Sequence, residues 1–175
     1  MDRMDDPRLS NTSYAVLGLL EMFEPATPYQ LKQIAQVSIF HFWSIPHTQL
    51  YTECARLAEA GLLEERREEG GRRRRIYRLS PAGRKALRTW RADPETDLYE
   101  LRDPGLLKLF CGADPAELAT AQLERHERRL HSYEELIQQT DMPAGVRLAL
   151  ESGIGHEREY VRFWSRLSEP GDVEG

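Results

Sequence analysis

From Ser13 onward the apolar residues Val16, Leu19, Leu20 and Phe23 recur at helical spacing. This predicts a first helix, with Asn11, Thr12 or Ser13 available to cap its start and Pro25 to end it. Thr27-Pro28-Tyr29-Gln30 combines an N-cap threonine, a proline at the first helical position and a glutamine three residues past the cap. That capping box opens a second helix, whose buried face is Leu31, Ile34 and Ala35. After the aromatic stretch Phe40 to Trp43, Ser44 and Pro46 open a third helix with Leu50, Cys54, Leu57 and Ala58 inward and Gly61 as a left-handed cap. The period then changes. Leu63 to Glu68 and Arg74 to Leu79 are short segments around Glu69-Gly70-Gly71, which predicts a β-hairpin with a glycine turn and half-exposed, polar strands. Ser80-Pro81 starts a fourth helix carrying Leu87 and Trp90. Three helices, a two-stranded hairpin and a helix make the layout of a winged helix-turn-helix.

Beyond Asp93-Pro94 the pattern is purely helical, and the boundary falls there: residues 10–92 as a winged-helix DNA-binding domain and 93–175 as a helical dimerisation or effector domain. Leu106, Leu107, Leu109 and Phe110 predict a short apolar helix stopped by Gly112. Asp114-Pro115 starts a long one, in which Leu123, Leu130, Tyr133 and Ile137 follow at spacings of seven, three and four before Pro143 breaks it. A last helix from Ala144 to about Leu167 places Val146, Leu150, Val161 and Trp164 on roughly one side. Two long amphipathic helices do not bury their stripes alone, so they are expected to pack on each other and on a second chain. Leu123, Leu130, Tyr133, Ile137, Leu150, Val161 and Trp164 are the expected dimerisation residues, and the expected fold class is mainly α.

Composition adds a division of charge. The 175 residues, 40% of them hydrophobic, suffice for a buried core, and the net charge is −5. Residues 13–92 carry 13 Lys and Arg against 8 Asp and Glu, whereas residues 93–175 carry 9 against 18. A basic first half joined to an acidic second half fits a polyanion-binding module attached to a module of another kind. The apolar runs fall far short of the roughly 20 residues that cross a bilayer, and Met1 to Ser10 lacks the pattern of a secretory signal, so no membrane association and a cytoplasmic location are expected. Cys54 and Cys111 have neither a C-x-x-C neighbour nor a histidine cluster, which leaves two buried thiols as the expectation, with no metal and no cofactor.

Seven arginines lie between Arg66 and Arg78, four of them consecutive as Arg72, Arg73, Arg74 and Arg75 at the hairpin tip and returning strand. Such a wing can lie along the phosphate backbone or enter a minor groove. The opposing reading is a solvated charge run offset by Glu64, Glu65, Glu68 and Glu69, and the three-helix unit before it favours the wing. In the third helix the inward face leaves Thr48, Gln49, Thr52 and Arg56 outward near its beginning, where amide and short hydroxyl side chains can bond base edges or phosphates. Tyr29 and Lys32 of the second helix, and Tyr51, are placed to meet the flanking backbone, although Tyr51 fits the core equally well.

Trp90, Tyr133, Tyr160 and Trp164 admit two readings, an aromatic-walled effector cavity or ordinary core and interface anchors. Enzyme motifs are absent: there is no G-x-S-x-G, P-loop or G-x-G-x-x-G, and His126 and His131 stand five apart on a helix rather than at a metal pair's spacing. Gly153-Ile154-Gly155, inside the last helix, suits close helix packing, and Glu157 and Glu159 are expected in solvent. The remaining alternative to DNA binding is a protein-interaction module whose arginines meet an acidic partner.

The series Leu17-Gly18-Leu19-Leu20, Tyr29-Gln30-Leu31, Gln49-Leu50-Tyr51, Arg56-Leu57, Ala60-Gly61-Leu62, Gly70-Gly71-Arg72, Ile76-Tyr77-Arg78-Leu79 and Pro81-Ala82-Gly83 resembles the PadR-type transcriptional regulators. The likeness continues through Arg102-Asp103-Pro104 and Leu107-Lys108-Leu109-Phe110 into the C-terminal helices. It implies a homodimeric repressor of a palindromic promoter, joined by its C-terminal helices and sometimes released by a small, often aromatic effector. The family's helix-two tyrosine maps to Tyr29, its recognition-helix tyrosine to Tyr51, and its wing basic residues to Arg72 through Arg75. The sequence departs from the pattern at Thr27-Pro28, where the family commonly has His-Gly, and at Thr52, where it commonly has proline.

Overall fold

The computed structural model describes residues 8–39, 42–68, 73–139 and 141–168, which divide into two compact units, 1–97 and 98–175. In the first, the order is α1 (Asn11–Phe23), α2 (Pro28–Ser38), α3 (His47–Glu59), β1 (Leu63–Arg67), β2 (Arg75–Leu79) and α4 (Pro81–Ala92). The predicted capping box of α2 is present, with Thr27 and Gln30 exchanging side-chain and backbone bonds. In α1 the cap lies one residue earlier than expected. Ser10 is the N-cap and Ser13 its reciprocal partner, a second capping box. At α3 the expected serine cap gives way to Pro46, with no side-chain cap bond. The strands each lose one residue at the turn end, and the Gly70-Gly71 turn lies outside the described residues.

One face of α1 supplies the centre of the first core: Val16, Leu17, Leu19 and Leu20 are buried against Leu31 and Ala35 of α2, Leu50, Cys54 and Leu57 of α3, and Leu87 of α4. Burial pushes the Cys54 thiol up to about 12. The two strands pair antiparallel from Leu63↔Leu79 to Arg67↔Arg75. A bridge unseen in the sequence pattern extends them, because Ala26 and Tyr77 exchange both backbone hydrogen bonds (3.2 and 2.9 Å). Glu24 adds a polar tie at the end of α1, accepting from the Leu79 N–H at 2.7 Å and pairing with Arg84 of α4. Ser80 caps α4 through Gly83 and also donates to the Gly61 carbonyl.

The second unit contains α5 (Pro104–Phe110), α6 (Pro115–Leu136) and α7 (Ala144–Ser168), with Asp103 and Asp114 capping the first two. Late α6 meets early α7, so the two long helices form an antiparallel hairpin around Tyr133, Leu150 and Ile154. Gly153 lets the Tyr133 ring lie against α7, 3.4 Å from where a Cβ would stand. Among the described residues no helix is long and apolar enough to cross a membrane.

Several expectations need correction. Of the residues expected at a dimer seam, Tyr133, Leu150 and Trp164 are buried in the second unit of a single chain, and Leu123, Leu130, Ile137 and Val161 are half-buried. Leu107 and Phe110 of α5 are instead exposed, and so is Cys111, which was expected to be a buried thiol. Glu157, expected in solvent, is buried, because positions 150, 154, 157, 161 and 164 share one helical stripe. It accepts from His126 Nδ1 at 2.6 Å and from Arg129 at 3.3 Å on α6.

Two glycines of the first unit respond oppositely to a methyl group. A Cβ at Gly83 would fall on the Leu62 backbone oxygen, whereas Gly18, inside α1, has nothing within 4 Å of that position. Gly83→Ala is expected to destabilise the protein by about 1–3 kcal/mol through overpacking, and Gly18→Ala to stabilise it by up to about 1 kcal/mol through helix propensity. Chemical denaturation of both variants measures the signs.

Candidate nucleic-acid interface

Two helices and the returning strand converge on an open cavity of about 900 Å³. From α2 and its cap it takes Thr27, Tyr29, Gln30 and Gln33; from α3, Tyr51 and Thr52; from β2 and the residue before it, Arg74, Arg75 and Tyr77. Tyr29 is 54% exposed, and its hydroxyl accepts from Gln33 Nε2, one turn along the helix, at 3.3 Å. Lys32 is half-buried on the same helix and is not among the lining residues.

On α3, Thr48, Gln49 and Thr52 are exposed, as expected of a face that must reach base edges. Thr52 donates its hydroxyl to the Thr48 carbonyl at 3.0 Å, which keeps its oxygen lone pairs outward. Tyr51 is exposed rather than in the core, its ring 4.9 Å from that of His47. Arg56 differs from expectation. Its guanidinium donates to both Glu53 oxygens (3.0 and 2.6 Å) and to the Ser13 hydroxyl (3.0 Å), so it ties α3 to α1 instead of pointing outward. The cause is the buried Glu53: a carboxylate beside the core needs donors, and Arg56 three residues on is in reach.

In the wing, Arg73, Arg74 and Arg75 are exposed, and Arg72 lies outside the described residues. Arg73 takes a left-handed backbone conformation at φ +43°, uncommon for a residue with a Cβ. Behind these arginines sits Glu65, opposite Tyr77 in the ladder. It accepts from the Tyr77 hydroxyl at 3.0 Å and from Arg67 Nε at 3.2 Å, with Arg75 Nη1 at 3.6 Å. Burial works against its charge, yet the hydrogen bonds from Arg67 and Tyr77 and the two arginine charges outweigh that and hold the carboxyl below the usual range.

Of the aromatic residues considered for an effector, Trp90 stacks on Tyr14 in the first unit, with ring centroids 4.6 Å apart. Tyr133, Tyr160 and Trp164 belong to the second. Trp164 Nε1 is buried without a hydrogen-bond partner among the described residues, and the buried Tyr160 Oη lies beside the Asp103 carboxylate. Burial, together with the neighbouring Asp103 carboxylate, pushes the Tyr160 hydroxyl up to about 12.

Gln33 and His47 escaped sequence reasoning, although their i, i+4 relations to Tyr29 and Tyr51 carry a signal for both. Glu65 entered that reasoning only as one of four offsetting glutamates, because Tyr77 and Arg75 reach it from across the ladder.

A three-helix core with α3 exposed at its first turns, and a two-stranded basic wing beside it, defines a winged helix-turn-helix. Residues 16–89 match the model of the transcriptional regulator PadR-like family. Over 167 residues the chain is 25% identical to the negative transcriptional regulator PadR of Bacillus subtilis, covering 86% of this chain and 91% of that one. The structure resembles B. subtilis PadR in complex with operator DNA (TM-score 0.77, 23% identity, 89% of this chain and 96% of that one). It also resembles the same protein in complex with p-coumaric acid (TM-score 0.71, 21% identity, 92% and 97%). The PadR-like match covers the winged helix-turn-helix, residues 16–89, which is a DNA-binding domain of the transcriptional-regulator type.

The carboxylates that hold α3 and α1 in place set an acid limit. Hydrogen bonds from Arg56 lower Glu53 against its burial, and the Leu79 N–H with Arg84 lowers Glu24 although burial opposes it. A depressed folded-state pKa contributes stability above the unfolded carboxylate value, and that stability is lost as pH falls through the folded value. Thermal melts between pH 7 and pH 3 are therefore expected to show a falling midpoint below the ordinary carboxylate range, with a shallower fall in Glu24→Gln and Glu53→Gln, which start less stable at pH 7.

Proposed function

We propose that this regulator is a homodimeric repressor acting in the cytoplasm on a palindromic promoter, with residues 10–92 binding DNA and 93–175 joining the two copies. The observation that carries the reading is the cavity shared by α2, α3 and the wing, because one DNA backbone can be met from all three sides at once. Thr48, Gln49 and Thr52 enter the major groove, Tyr29 and Tyr51 flank it, and Arg73, Arg74 and Arg75, continued by Arg72, follow the phosphates. Two copies related by a two-fold axis would set their α3 helices about 34 Å apart, one turn of the duplex. Lys32 is retained as a peripheral phosphate contact, and Arg56 is assigned to holding α3 instead.

The second copy is proposed to cover apolar side chains that one protomer leaves outward. Leu107, Phe110 and Leu148 are 62, 89 and 65% exposed, and the half-buried Leu123, Leu130, Ile137 and Val161 edge the hairpin. A small aromatic effector is proposed for the second unit, supported by the buried Trp164 Nε1, which has no hydrogen-bond partner among the described residues, and by the p-coumaric acid in the B. subtilis PadR complex.

In a titration against genomic promoter fragments, the saturating complex is expected to hold two chains per duplex. Alanine at Arg72 through Arg75 should weaken all sequences alike and flatten the salt slope by about 0.9 for each phosphate that is no longer neutralised. Gln49→Ala should leave that slope in place while relaxing preference at one base pair by about 1–3 kcal/mol. An unchanged slope in the arginine variant rejects the wing's role.

Addition of p-coumaric acid or related phenolics is expected to change tryptophan fluorescence and release the promoter fragment, and Tyr160→Phe should reduce that response. Silence across a broad panel leaves Tyr160 and Trp164 as packing residues.

A further inference from the structure

The wing carries its own counter-charge at one defined place, Glu65. Glu65 faces Tyr77 across the ladder, and its carboxylate contacts Arg67, Arg75 and the Tyr77 hydroxyl together. Tyr77 is buried, so the hydroxyl that holds Glu65 is fixed by the core and anchors the carboxylate. Arg75 and Tyr77 both line the cavity assigned to DNA, so Glu65 stands directly behind that surface. Glu64, one residue earlier, is exposed and pairs across the ladder with Arg78; strand alternation puts its side chain on the other face.

We propose that Glu65 is a positioning residue for DNA recognition, which fixes Arg75 at the cavity and, by offsetting the charge of Arg67 and Arg75, restrains binding to DNA of arbitrary sequence. The inference rests on the DNA interface assigned above. A guanidinium already paired with a carboxylate displaces fewer counterions from a phosphate, so the acid lowers the sequence-independent part of the affinity. At a matching operator the restraint is recovered, because an Arg75 held in one orientation loses less freedom on contact. Glu65 therefore acts on selectivity through Arg75 and does not itself touch DNA.

The test compares wild type with Glu65→Gln, which keeps the size and an acceptor for Tyr77, and with Glu64→Gln, which makes the same change in net charge on the opposite face. Affinity is measured for an operator-bearing fragment and for a scrambled duplex across a salt series, with a thermal melt of each protein. For Glu65→Gln the scrambled duplex is expected to bind about fivefold tighter near physiological salt, with a slope steeper by up to about 0.9. Operator affinity should rise less, so the ratio of the two falls, while Glu64→Gln moves both by a smaller and equal factor. The proposal is overturned if Glu65→Gln matches Glu64→Gln, or if a folded Glu65→Gln weakens both duplexes equally. Should the glutamine variant melt below the assay temperature, Arg67→Gln with Glu65 intact supplies the complementary reading. Removing a guanidinium that Glu65 already offsets should change the slope by much less than removing that of Arg74, and an equal change overturns the proposal. Failure of wild type to bind either duplex would count against the DNA interface itself and is distinct from all of these.

Discussion

The recognition surface of this regulator depends on the seating of Tyr77. Its side chain is buried in the first core, its backbone exchanges two hydrogen bonds with Ala26, and its hydroxyl reaches Glu65 across the ladder. A two-stranded hairpin is marginal by itself in water, so the wing needs such an anchor to hold a fixed direction. The bridge at Ala26 matters for a second reason. Ala26 immediately precedes the Thr27 cap of α2, so the same residue pair that fixes the strand fixes the start of the helix bearing Tyr29. Cavity, wing and helix are therefore held by one short stretch of backbone.

Charge in the first unit serves two purposes that composition does not separate. Arg56 and Arg84 are structural: each meets a partly buried glutamate and closes α1 onto another element. Arg73 and Arg74 are exposed on the wing, and Arg75 stands between the two roles, facing the cavity with Glu65 behind it. A buried carboxylate without donors costs several kcal/mol, whereas an exposed pair contributes little. Burial of the acid therefore decides which arginines belong to the frame and which stay available to phosphate.

The second unit shows the same logic on a helix pair. Its seam is mostly apolar, yet Glu157 lies in it because His126 and Arg129 stand on the facing helix to satisfy both oxygens. Placement of that acid on the stripe is what makes the seam tolerate it. The apolar residues Tyr133, Leu150 and Ile154 fill the hairpin, whereas Leu107 and Phe110 of α5 and Leu148 of α7 stay exposed.

Periodicity and caps determined the elements themselves. The capping box at Thr27, the cap at Ser80, the change of period at Leu63 and the aspartate-proline start at Asp114 are local signals, and each acts within four residues of chain. The PadR-like motifs are likewise legible, since each follows from spacing along the chain. What the sequence left open were pairings between residues distant in the chain: Tyr77 with Ala26, Glu24 with Leu79, Glu157 with His126, and the outward turn of Tyr51. A charged or aromatic side chain on an amphipathic helix is compatible with either face until a partner is found, and only tertiary packing brings that partner within hydrogen-bonding distance.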